Sequence, residues 1–139
     1  QEDYPGCYSE EIKMIRETRK ILDEPDLSIS ATCVRIPISI SHGETINVEL
    51  QKDISVEQAR EILQNAPGVE VVDDPEESKY PLPNEAAGQN PVYVGRLRQD
   101  PGNKNSLDMW CVSDNLLKGA ALNTVQIAEK AVDFCSFSK

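Results

Sequence analysis

Residues 92–113, Val-Tyr-Val-Gly-Arg-Leu-Arg-Gln-Asp-Pro-Gly-Asn-Lys-Asn-Ser-Leu-Asp-Met-Trp-Cys-Val-Ser, decide the fold class. The runs at 92–98 and 107–113 are rich in apolar, β-prone residues, and Asp100-Pro101-Gly102-Asn103 between them is turn chemistry. Two such runs around a short turn predict an antiparallel hairpin. Downstream, Asp114 is placed to cap a helix running to about Phe134, with Leu117, Ala120, Ala121, Thr124, Ile127, Ala128 and Ala131 as its packed side. Upstream lies a proline-rich stretch at 73–91, carrying Pro75, Pro81, Pro83 and Pro91 without a clear period, which predicts a long structured loop.

Earlier segments complete the pattern. Val69 to Val72 is short and apolar enough for a strand, and Pro67-Gly68 ends the helix before it. That helix opens with the capping box Ser55 to Gln58 and runs to about Asn65, with Val56, Ala59, Ile62 and Leu63 inward. Residues 45–50 alternate as a strand. Residues 29–40 predict a longer one, with Val34, Ile36, Ile38 and Ile40 on one face and Cys33, Arg35, Pro37 and Ser39 on the other. Pro37 confines that strand to an edge or a bulge. Residues 9–22 read as a helix with Ser9 as N-cap and Ile12, Ile15 and Leu22 on one stripe; Glu24-Pro25-Asp26 stops it. The order α-β-β-α-β-β-β-α over residues 1–139 predicts one α+β domain, its largely antiparallel mixed sheet covered on one face by helices.

Bulk properties narrow the function. With 139 residues, the chain is long enough for one domain with a core. A net charge of −10 argues against nucleic acid, which needs clustered Lys and Arg. No apolar run approaches the ~20 residues of a membrane helix. Cys7, Cys33, Cys111 and Cys135 have no C-x-x-C spacing and only one histidine accompanies them, so no metal site is expected. Without a signal peptide, reduced thiols in the cytoplasm are the simplest account. The start at Gln1 without a Met fits a fragment.

Arg35 and His42, seven residues apart, carry the chemistry. A guanidinium holds a carboxylate with two parallel hydrogen bonds, and an imidazole can take and return a proton near neutrality. Together they fit a site that binds a small acid and moves a proton beside it; the plainer reading is an edge-strand Arg and a surface-loop His. In a straight strand the two side chains would point apart, so they converge only if the chain bends near Ser41-His42-Gly43, and Gly43 permits that bend. Glu10 and Lys13, at i and i+3, share a helix face, where the plainer reading is a solvated ion pair.

Longer stretches point to a family. Tyr8-Ser9-Glu10-Glu11-Ile12-Lys13-Met14, Glu17-Thr18-Arg19-Lys20-Ile21-Leu22, Ser30-Ala31-Thr32-Cys33-Val34-Arg35-Ile36-Pro37, His42-Gly43-Glu44 and Asp114-Asn115-Leu116-Leu117-Lys118-Gly119-Ala120-Ala121 resemble, in order and with matching gaps, the C-terminal half of aspartate-β-semialdehyde dehydrogenase. The resemblance implies a fold like the C-terminal domain of glyceraldehyde-3-phosphate dehydrogenase-like enzymes. It implies reductive dephosphorylation of L-aspartyl-4-phosphate to the semialdehyde with NADP as cofactor, on the route to lysine, methionine and threonine. It assigns substrate-carboxylate binding to Arg35, acid–base catalysis to His42, the substrate amino group to Glu10, phosphate to Lys13, and a place near the nicotinamide to Asn115. It also implies a homodimer.

Two features of that family are missing. No cysteine stands in an Asn-Cys-Thr or Asn-Cys-Ser context, and there is no Gly-rich strand-to-helix turn for a dinucleotide. Both are assigned to an N-terminal domain outside this chain, which on this reading cannot turn over alone. Two alternatives stand beside it: a catalytically silent paralogue kept as an assembly module, and an enzyme resembling N-acetylglutamyl-phosphate reductase. Retention of Glu10, Lys13, Arg35 and His42 together argues against the first. A carboxylate at Glu10, suited to a free amino group, favours the aspartyl substrate over the second.

Overall fold

The computed structural model describes residues 4–136 and divides into two compact units, Gln1–Pro37 and Ile38–Lys139. The first unit carries α1, Ser9–Leu22. Its N-cap is Tyr8, one residue before the predicted Ser9, because Glu11 reaches back to accept the Tyr8 N–H at 2.8 Å. The other Glu11 oxygen accepts the Cys33 N–H at 3.0 Å, so one carboxylate ties the helix start to the chain that follows it. Those two backbone bonds, Cys33 first, hold the Glu11 carboxyl below its ordinary range. Asp23, in the left-handed conformation, closes the helix with its N–H on Arg19 and Lys20 carbonyls. Ile12 and Ile15 are buried as the stripe predicts, whereas Ile21 and Leu22 are exposed.

The strand predicted at 29–40 does not form. Among the described residues no strand is assigned over 29–40, and Val34, Ile36, Ile38 and Ile40 are exposed. Alternation gave the segment a face, but a strand also needs a neighbour for its backbone groups.

The second unit holds a four-stranded mixed sheet in the order β1-β4-β3-β2. β1 spans His42–Glu49, β2 Val69–Val71, β3 Val92–Asp100 and β4 Asn103–Ser113. The hairpin β3–β4 turns across Pro101-Gly102 and is antiparallel, as is β1–β4; β2 runs parallel to β3 at the far edge. The expected α+β class with a largely antiparallel mixed sheet is what the structure has. The hairpin carries a bulge where Arg96 adopts a φ of 55°. Asp73, beyond β2, stabilises it by accepting the Arg96 N–H at 2.7 Å.

α2, Val56–Gln64, begins at the predicted capping box and packs on β2 and β3. Ala59 is its buried residue, and Ile62, expected inward, is 62% exposed. The proline-rich loop contains one short helix, α3, Pro83–Ala86, against β4. Val94, Leu97, Leu107 and Val112 of the hairpin form the core with Ala59 and Ala86. The last helix opens as a π-helical turn, Leu117–Ala121, and continues as α4, Leu122–Ser136. Its expected packed side is not packed: Ala120, Ala121, Thr124, Ile127, Ala128 and Ala131 are exposed, and Leu117 alone of that stripe is half-buried. The stripe marks an apolar face, and the described residues supply no cover for it.

Candidate functional site

His42 is the first residue of β1, exposed and paired in register with Ser113 at the end of β4. Its two neighbours are both fixed. Ser41, before it, is buried at 4% exposure and has a φ of 85°, a region that L-residues other than Gly rarely adopt. The Ser41 N–H donates to Asn115 Oδ1 at 2.7 Å, and its hydroxyl donates to the Pro83 carbonyl at 2.9 Å. Gly43, after it, lies under the indole of Trp110, where any Cβ would overlap the ring. Trp110 donates its Nε1–H to the Pro81 carbonyl at 2.9 Å. The expected bend is therefore present, but Ser41 makes it, and Gly43 is needed for close approach of a ring.

Asn115 occupies the turn between β4 and the π-helical segment. Asp114 builds that turn: its carboxylate accepts from Gly88 N–H at 2.7 Å, Leu116 N–H at 2.7 Å and Leu117 N–H at 3.0 Å. Those donors, Gly88 first among them, hold the Asp114 carboxyl below its ordinary range although burial opposes this. The N-cap itself is Leu116, two residues after the expected Asp114 and without a side-chain cap bond; Asp114 instead closes the turn before the helix and fastens the end of α3 to the end of β4.

In the first unit, Lys13 Nζ meets Glu10 Oε1 at 3.2 Å on the exposed face of α1, and that hydrogen bond holds the ammonium charged above its ordinary range. Arg35 is exposed within the extended stretch after α1. The structure brings Glu10 to Lys13, and Asn115 to the residue preceding His42. Arg35 belongs to the first unit and His42 to the second.

Residues 4–118 match the family model of the semialdehyde dehydrogenase dimerisation domain. The chain belongs to that family. It is 52% identical over 127 residues to the aspartate-semialdehyde dehydrogenase of Aquifex aeolicus (strain VF5), covering 91% of this chain and 37% of that protein. It is 52% identical over 125 residues to the enzyme of Bacillus subtilis (strain 168), covering 89% and 36%. Among solved structures it resembles aspartate semialdehyde dehydrogenase II from Vibrio cholerae complexed with ASA, with a TM-score of 0.86 at 38% identity, covering 92% of this chain and 38% of that one. The semialdehyde dehydrogenase domain described here therefore spans little more than a third of its relatives' length.

Among the described residues, the connections from strand to helix carry no glycine-rich turn. A dinucleotide pyrophosphate needs a glycine-rich turn leading from a strand into a helix. Here the connections from β1 to α2, from β2 to α3 and from β4 to the π-helical turn contain no glycine. The oxygen of Asn115, the residue expected near the nicotinamide, accepts the Ser41 N–H.

Ser41 and Trp110 are the site residues that sequence reading passed over. A serine with positive φ has no sequence signature. The Trp110–Gly43 contact was accessible only as a glycine inside a strand, which signals close approach by something.

Proposed function

We propose that this chain is the substrate-binding and dimerisation domain of an NADP-dependent aspartate-semialdehyde dehydrogenase, acting on aspartyl phosphate in the cytoplasm as a homodimer. The observation that carries the reading is the family match over residues 4–118, the span that contains Glu10, Lys13, Arg35 and His42. In this reading the Arg35 guanidinium binds the substrate carboxylate bidentately. Lys13, kept charged by Glu10, supplies compact positive charge for the phosphate, and Glu10 meets the amino group.

His42 is the acid–base. It takes the proton of the attacking thiol and returns a proton as the tetrahedral intermediate collapses. The thiol and the nucleotide-binding fold come from outside the chain, so the domain alone is inactive. Family membership, in which all four residues have work to do, favours this reading over a silent assembly module.

The test is phosphate-dependent oxidation of the semialdehyde by the full-length enzyme. His42→Ala is expected to lower kcat by about 10²- to 10⁴-fold, the usual worth of a positioned acid–base group. Arg35→Ala is expected to raise KM for the semialdehyde. Unchanged kinetics in both variants would remove the proposal.

A further inference from the structure

We infer that Asn115 is a positioning residue for His42, acting through the backbone of Ser41; the inference rests on the acid–base role proposed above and deepens it. An imidazole on an exposed strand end is aimed by the chain beneath it, because successive strand residues point to opposite faces. The direction of His42 is therefore set by the dihedrals of Ser41. Those dihedrals are unfavourable for serine, with φ at 85°, and persist because the surroundings over-determine them. Asn115 Oδ1 accepts the Ser41 N–H at 2.7 Å, and the Pro83 carbonyl accepts its hydroxyl at 2.9 Å.

Asn115 is itself held. It follows Asp114, whose buried carboxylate takes three backbone N–H groups from α3's end and from its own turn. The acceptor aimed at Ser41 is thus anchored to the end of β4, next to Ser113, the register partner of His42. On the other flank, the Trp110 indole over Gly43 leaves the chain no sideways play. Without the Asn115 oxygen, Ser41 loses the bond that offsets its strained φ. Relaxation to an ordinary φ swings the imbalance into the next residue, turning His42 from its seat.

The experiment is a double-mutant cycle in the full-length enzyme. Asn115→Ala is expected to lower kcat about 10- to 100-fold, the scale of a misplaced catalytic group, with KM for nucleotide and substrate within about twofold of wild type. The double variant with His42→Ala is expected to be no slower than His42→Ala alone, because both act through one imidazole. Rate losses that multiply in the double variant would overturn the inference. So would a raised nucleotide KM at unchanged kcat, which would put Asn115 in contact with the nicotinamide instead. If His42→Ala itself keeps full kcat, the acid–base reading fails first and the inference with it. Should Asn115→Ala not fold, Asn115→Asp, which keeps an oxygen acceptor for the Ser41 N–H and replaces only the amide NH2, is expected to retain kcat within about twofold of wild type, and a loss as large as that of His42→Ala would overturn the inference.

Discussion

The indole of Trp110 lies directly on Gly43, so closely that a methyl group there would overlap its six-membered ring. The two residues are diagonal neighbours across β1 and β4, where Trp110 pairs with Thr45 and Gly43 with Val112. The ring reaches along the strand to cover the glycine, and its Nε1–H is fixed on Pro81. Gly43→Ala must push the ring away, and overpacking of this kind costs about 1–3 kcal/mol. A fall in thermal stability is expected together with a change in tryptophan fluorescence, which reads this contact alone because Trp110 is the sole tryptophan of the chain. Unaltered emission and melting in Gly43→Ala would mean the ring is not held there.

Asp73 is expected to be the most sensitive carboxylate of the second unit. Its side chain is 1% exposed, accepts the Arg96 N–H at the hairpin bulge, and lies 2.8 Å from Arg60 Nη2. The second oxygen has ionic contact with that guanidinium but no aligned hydrogen bond. Removing one partner of a buried pair costs about 3–5 kcal/mol, less here because Arg60 is partly in water. Asp73→Ala is expected to lower the urea midpoint strongly and Asp73→Asn less, since an amide oxygen can still take the Arg96 N–H. Equal midpoints for the two variants would show that the ion pair alone matters.

The hairpin and the α2 capping box were legible because each is local: a turn pair and an i to i+3 exchange. Residues 29–40 misled because alternation reports a face without reporting a ladder partner. The stripes of α4 and α2 misled for a related reason. Periodicity shows which residues could be buried together, and burial depends on what another element brings to them, as Ile62 and Ile127 illustrate. At the site, residue types carried His42, Arg35, Glu10 and Lys13, while the Ser41 bend came from long-range bonds to Pro83 and Asn115 that no short window contains.

The Glu10–Lys13 pair separates structure from chemistry. Both side chains are more than half exposed, so screening leaves the pair little to contribute to folding. Lys13→Ala is expected to leave the melting temperature essentially unchanged while raising KM for phosphate in the full-length enzyme. A variant that melts early with normal phosphate kinetics would make the pair structural.

Stability should respond to acid through Asp114. Its folded carboxyl titrates below the ordinary value of 3.8, chiefly because Gly88 donates to it, so the unfolded chain takes up a proton there before the folded one does. The contribution is fully present above the unfolded value and is lost as pH falls through the folded one. Asp114→Asn is therefore expected to melt below wild type at neutral pH, with the gap narrowing as pH falls below about 4. A gap that stays constant through the acid range would show that the carboxylate's charge plays no part.

Cys111 faces Glu44 across β1 and β4, and its thiol is pushed up to about 11, first by burial and then by that carboxylate. A thiol is a nucleophile only as the thiolate, so at neutral pH Cys111 is in the wrong protonation state to attack an acyl phosphate. It also belongs to the packed hairpin, where a buried thiol behaves as a small apolar group. Treatment of the folded chain with iodoacetamide at pH 8 should leave Cys111 unmodified over times that alkylate it completely in urea, as peptide mass mapping would read. Glu44→Gln should quicken labelling only slightly, because burial is the larger cause. Rapid alkylation of Cys111 in the native chain would make it a reactive thiol, and the nucleophile would then no longer have to be sought outside these residues.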